Sequence, residues 1–153
     1  MDEPNLYCPH LLICRSIWYD RRHTERGFSL RGLYANVAPP EGDGYPFRIE
    51  RLFVYAQLWG DVGEYSVRIR FVRIELQGYD EEIEVQLGDD GEARVYPMPT
   101  HRPVTVGDRN RIEEFAFAIG PVPFTAPGLY EFQLRVDGLD HPVGRERIEA
   151  HEE

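Results

Sequence analysis

Short runs in which apolar and polar residues alternate recur along most of the chain, and clusters of Gly, Pro and Asp separate them. Alternation with period two is the mark of a strand with one buried side, and no long window carries the helical period instead. The pattern predicts about nine strands, over residues 11–19, 28–37, 47–59, 64–76, 82–87, 93–96, 112–119, 129–137 and 143–150. Strands at this spacing read as an all-β fold, a two-sheet antiparallel sandwich of eight or nine strands. The loops between them are 20–27, 39–46, 97–111 and 120–127. The third is long for a connection, so it serves as a crossover between sheets or as a functional loop.

Two long alternating runs flank Gly60-Asp61-Val62-Gly63, which predicts a hairpin. With Trp59 opposite Glu64, Leu58 would pair with Tyr65, Ala56 with Val67, Val54 with Ile69 and Leu52 with Phe71 on a core face. The other face would pair Gln57 with Ser66, Tyr55 with Arg68 and Phe53 with Arg70. A second clear strand starts at Pro127-Gly128-Leu129-Tyr130, with Tyr130, Phe132, Leu134 and Val136 on one side. Its opening resembles the strand of immunoglobulin-like, Greek-key sandwiches that carries a tyrosine corner, with Phe132 where those domains have a cysteine. Gly63-Glu64-Tyr65 echoes it, as any strand starting after a tight turn would. In Phe28 to Val37 the apolar phase slips at Gly32, where a bulge or bend is expected.

A chain of 153 residues fits one domain over 1–153, with 151–153 read as a frayed tail. Its basic residues are all Arg, which reflects codon composition and also favours pairing with carboxylates and stacking on rings. The net charge of -10 is uneven: residues 1–76 carry ten Arg and ten acids, residues 77–153 seven Arg and seventeen acids. An acidic total opposes long-range attraction to nucleic acid or anionic membrane, so neither is an expected partner. No charged segment precedes an apolar leader and no run approaches a membrane span, so a cytoplasmic location is expected. Cys8 and Cys14 would lie roughly 20 Å apart on an extended strand, too far for a disulfide.

Tyr45-Pro46-Phe47, the run Leu52 to Leu58, the run Gly63 to Ile69 and the run Pro127 to Gly138 together resemble a family of small bacterial β-sandwich proteins of unknown function. Cys14 and Gly32-Leu33-Tyr34 fit the same pattern. The resemblance implies a bacterial, cytoplasmic, immunoglobulin-like or related sandwich, and brings no catalytic residue with it.

Nothing in the chain is spaced as a catalytic motif: there is no Gly-x-Ser-x-Gly, Walker loop, dinucleotide fingerprint or His-Glu-x-x-His. An enzyme and a cofactor are therefore not expected, although a site could assemble in space around a histidine such as His101. Cys8, His10 and Cys14 mix metal-ligand types but are too spread along a strand to close a site. Asp80-Glu81-Glu82, Asp89-Asp90-x-Glu92 and Asp137-x-x-Asp140 could pool oxygens for calcium, and Trp18, Trp59 and Tyr55 could form a sugar platform. Turn chemistry and core packing account for these residues more simply.

The most unusual surface is the outer side of the predicted hairpin, where Phe53 and Tyr55 would lie under Arg68 and Arg70, with Arg51 extending the set. Aromatics and Arg are the types enriched at protein interfaces. The expectation is a non-enzymatic interaction or structural module that binds another protein or a second copy of itself, with a loop-end ligand (calcium or carbohydrate) as the alternative.

Overall fold

Extended backbone follows the alternating runs. The computed structural model describes residues 3–20, 27–77, 81–85 and 102–152, and contains only strands, turns and loops there, with no helix. In chain order the strands are β1 (Leu6–Tyr7), β2 (Leu11–Asp20), β3 (Gly27–Leu33), β4 (Asn36–Val37), β5 (Phe47–Ile49), β6 (Leu52–Gly60), β7 (Gly63–Gln77), β8 (Glu81–Val85), β9 (Arg102–Val106), β10 (Glu113–Ile119), β11 (Val122–Phe124), β12 (Gly128–Val136) and β13 (Gly144–Ala150). They form several sheets, one curled as a half-barrel.

The first sheet runs β3, β2, β6, β10, all antiparallel. β1 precedes β2 along the same edge of β6, where the Asp61 and Gln57 amides donate to the carbonyls of Asn5 and His10. β11 pairs with β5 in the register that β10 keeps on β6, so this ribbon continues past a break. At the break Gly120 has φ +146°, and a Cβ there would sit 2.1 Å from the Glu50 carbonyl oxygen. The second sheet runs β4, β13, β12, β7. β9 and β8 share the remaining edge of β7 at its two ends, since Val67 pairs with both Val136 and Arg102 and Arg73 with both Tyr130 and Val85.

One apolar cluster takes side chains from both large sheets: Leu52, Val54, Ala56 and Leu58 from β6, Val67, Ile69 and Phe71 from β7, and Tyr130, Phe132, Leu134 and Val136 from β12. Phe71 is its hub, 4.5 Å from the Phe132 ring and stacked on Tyr130 at 5.4 Å. Burial of such large side chains is the main stabilising term, about 1.5–3 kcal/mol for each full side chain.

The inward residues are those that alternation singled out, but the hairpin at residues 60–63 is overturned. β6 pairs with β1, β2 and β10, and β7 pairs with β12, β8 and β9; the two strands lie in different sheets. Gly60 lets the chain leave one sheet for the other: its φ is +144°, and a Cβ would meet the Asn5 carbonyl oxygen at 2.1 Å. The run 28–37 likewise divides. Gly32 has the expected irregular backbone, at φ +68°, and the chain then passes from β3 in the first sheet to β4, parallel to β13, in the second.

Three expected loops or tails are more ordered than their composition predicts. β9 lies within 97–111 and β11 within 120–127. His151, placed in a frayed tail, donates its amide to the Val37 carbonyl at 2.9 Å, and its own carbonyl accepts from the Tyr45 hydroxyl. The strand expected over 93–96 falls outside the described residues.

Candidate functional site

The five residues expected on one face are split between two. Phe53 and Tyr55 project from the side of β6 turned away from the core, with Arg51 beside them, whereas Arg68 and Arg70 project from the outward side of β7 in the other sheet. A hairpin would have joined them; the crossing at Gly60 separates them.

On the first sheet Tyr55 is covered rather than offered. Its hydroxyl donates to Glu114 Oε2 at 2.5 Å and accepts from Gln57 Nε2 at 2.8 Å, while the Phe28 ring packs edge-on at 5.6 Å. Burial, reinforced by the Glu114 carboxylate, pushes its phenol up to about 12. The Arg51 guanidinium lies 5.7 Å from the Phe53 ring, a cation-π distance. One open part of this face is its far end. Tyr7 and Trp59 sit directly opposite each other with ring centroids 5.4 Å apart, and both are exposed. Ile112, just before the Glu113–Leu58 pair that ends the β10 ladder, lies at the same end of the sheet and is also exposed. Trp59 Nε1 donates to the Arg109 carbonyl at 2.6 Å, and Arg109 is in turn paired with Asp61 at 3.3 Å. The indole is thus held in place with its polar atom already satisfied, leaving a fixed apolar ring at the surface. Trp59 was considered at the sequence level for a sugar platform, but Tyr7 and Ile112 were not singled out, because only lateral pairing brings residues 7, 59 and 112 together.

On the second sheet the outward side chains form a grid. Arg68 lies opposite Arg135; Arg70, Gln133 and Arg145 form the next row; Val72, Glu131 and Arg147 the one after. Glu131 is fully buried and accepts from Arg147 Nε at 2.9 Å, Gln133 Nε2 at 2.7 Å and Arg145 NH1 at 3.5 Å. A buried carboxylate requires such partners. Arg135, Arg145 and Arg147 are new members of this surface, hidden in the sequence by the acidic surplus of the second half.

Among the described residues the other candidates do not assemble. The Cys8 thiol donates to the His10 carbonyl at 3.2 Å and Cys14 to the Phe53 carbonyl at 3.6 Å, so both sulfurs are used locally. Burial raises both thiols, Cys14 to about 11, so the thiol form is favoured in each. Among the described residues, the metal-type group is Glu3, Asp140 and His141, all exposed. The Asp140 carboxyl is held down by its bond to His141 at 3.1 Å. His101, Asp80, Asp89, Asp90 and Glu92 lie outside the described residues. No described helix is long and apolar enough to cross a membrane.

Comparison with protein-family models, with curated proteins and with solved structures returned no match to this chain.

Proposed function

We propose that the chain is a non-enzymatic protein-binding module with the strand order of an immunoglobulin-like sandwich, and that Tyr7, Trp59 and Ile112 form its contact surface. The topology is supported by β2, β6 and β10 lying side by side in one sheet and β7, β12 and β13 in the other, the order of strands A, B, E and C, F, G in such domains. A tyrosine corner supports it too: the Tyr130 hydroxyl donates to the Ala126 carbonyl at 2.6 Å, four residues upstream at the entry to β12.

The observation that carries the binding reading is the Tyr7–Trp59 pair, two large exposed rings fixed against each other at the end of a sheet face. Rigid aromatic side chains give much contact area at little conformational cost and dominate binding energy where they occur. The measurement is affinity capture from the protein's own cells, with the wild-type chain beside a Tyr7→Ser, Trp59→Ser variant of unchanged circular dichroism. A hot-spot loss of about 2 kcal/mol or more for each ring would weaken capture at least roughly thirtyfold. Retention of the same partner by the variant would remove this surface as the site.

A further inference from the structure

The outer strands of a sheet expose unpaired backbone, and proteins blunt them with short length, charges, prolines or bends. Most outer strands of this chain carry such a device. β1 and β4 are two residues long, β8 reads Glu-Glu-Ile-Glu-Val, β9 begins Arg102-Pro103, β11 has Pro123 at its centre, and β3 carries Arg31 before the irregular Gly32 at φ +68°. β10 is different. After Glu113 and Glu114 it runs Phe115-Ala116-Phe117-Ala118-Ile119, with no charge, proline or glycine, and among the described residues it pairs with β6 alone.

The direction of its free backbone groups follows from β6. The Gln57 amide donates to the His10 carbonyl, on the edge of β6 away from β10. In an antiparallel ladder, opposed residues alternate between exchanging both backbone bonds and turning both sets of groups away from each other. Gln57 stands opposite Glu114, so Glu114, Ala116 and Ala118 turn their N–H and C=O groups outward. Phe53 agrees with this alternation: it stands opposite Ala118, and its carbonyl accepts from Cys14 on the β2 side. Among the described residues these outward groups have no backbone partner. Glu114 is exposed and Ala116 and Ala118 are partly so, which leaves the edge reachable.

We propose that the free edge of β10 is a dimer interface, on which β10 of a second copy of this chain pairs antiparallel about a two-fold axis at Ala116. That register is self-complementary, as a two-fold contact must be. Ala116 meets its own equivalent, Glu114 meets Ala118 and Ala118 meets Glu114, so each outward N–H and C=O of the three residues gains a partner. Phe117, only partly buried, then stands across from Phe115 of the other copy, a favourable aromatic pair. The charges agree with the register. Glu114 of one copy comes within about 10 Å, two strand spacings, of Phe53 in the other, and Arg51 lies over that ring. A parallel alignment would instead bring Glu113 and Glu114 beside their own equivalents, which is unfavourable. A second copy fits better than an unrelated extended segment because this register leaves none of the three outward residues unmatched. The edge includes neither Tyr7 nor Trp59, so the dimer and the aromatic contact surface stand or fall independently.

Sedimentation equilibrium tests the assignment at about 0.15 M salt, where a Debye length of about 8 Å limits repulsion between two chains of net charge -10. The mass should rise with concentration from 17.8 kDa toward twice that value. Ala116→Pro removes an outward N–H without touching the ladder to β6, and Ala116→Lys sets like charges face to face at the axis. Each should raise the dissociation constant about tenfold or more, whereas Tyr7→Ser with Trp59→Ser should leave it unchanged. Circular dichroism of the dilute monomers checks the fold, and Ala116→Lys decides the matter if the proline variant does not fold. In a Cys8→Ala, Cys14→Ala background, Ala116→Cys should form an intermolecular disulfide under mild oxidation, since its equivalents stand about 5.5 Å apart across the axis, and Glu113→Cys should not. A wild-type chain that stays monomeric up to its highest soluble concentration, or a dimer that Ala116→Lys leaves at full strength, overturns the interface. A dimer that Tyr7→Ser with Trp59→Ser abolishes assigns self-association to the aromatic surface and overturns β10 as its site. Crosslinking through Glu113→Cys but not Ala116→Cys overturns the antiparallel register.

Discussion

Tyr130 and Tyr65 occupy matching places at the starts of neighbouring strands, and each hydroxyl reaches back four residues to a backbone carbonyl, at Ala126 and Asp61. Their surroundings differ: Tyr130 is fully buried and Tyr65 only partly. Tyr130→Phe strands buried polar groups and should cost about 1–3 kcal/mol, Tyr65→Phe about 0.5–1.5 kcal/mol. Urea unfolding would show this as a lower midpoint at unchanged slope, larger for Tyr130. The resemblance of Pro127-Gly128-Leu129-Tyr130 to a tyrosine corner was legible because the motif is local. The Gly63-Glu64-Tyr65 echo, read as an ordinary turn, turns out to carry the same hydrogen bond.

Burial also sets a pH dependence at this scale. The Cys14 thiol moves from 9.0 to about 11 and the Tyr55 phenol from 10.0 to about 12. For both groups the folded state holds its proton more tightly than the unfolded chain. Their contribution is therefore complete below the unfolded values and is lost as pH rises through the folded ones. Melting temperature should decline across this alkaline window, and Cys14→Ala with Tyr55→Phe should make the decline shallower.

At the scale of elements, alternation correctly identifies the inward residues of β6 and β7 and says nothing about which strands pair. Leu52, Val54 and Leu58 face Val67, Ile69 and Phe71 whether two strands lie side by side with one shared buried face or stand in opposite sheets across a core. The trace of the crossing lies in Gly60 and its contact with Asn5, which no linear pattern reveals. Crosslinking separates the two arrangements in a Cys8→Ala, Cys14→Ala background. Phe53→Cys with Ala118→Cys are laterally opposed on β6 and β10 and should form a disulfide under mild oxidation. Phe53→Cys with Arg70→Cys, neighbours in the hairpin register, should not. β9 and β11 were hidden for another reason. Each contains a proline, Pro103 or Pro123, that argues against a strand, and among the described residues each pairs on one side only, where a missing N–H is tolerated.

At the scale of the whole molecule, the candidate surfaces are products of lateral assembly. Arg68 and Arg70 could be read as unusual from the sequence, yet their aromatic neighbours were assigned from a pairing that does not exist. Their real neighbours, Arg135, Arg145 and Arg147, lie some 65 to 80 positions away along the chain. No charge count by halves anticipates this, because the face takes basic residues from an acidic stretch. The aromatic patch is distributed in the same way, over residues 7, 59 and 112.

The crossing at residues 60–63 also bears on how fast the chain can find this arrangement. The two strands flanking this turn cannot zip together from it, so although β7 has a nearby partner in β8, the central pairings β6–β10 and β7–β12 each close a loop of more than fifty residues. Closing long loops before any contact rewards it slows folding to the millisecond-to-second range typical of non-local β topologies. Stopped-flow refolding should place this chain there. A faster phase would report the local ribbons β2–β3 and β12–β13, whose partners are close in sequence.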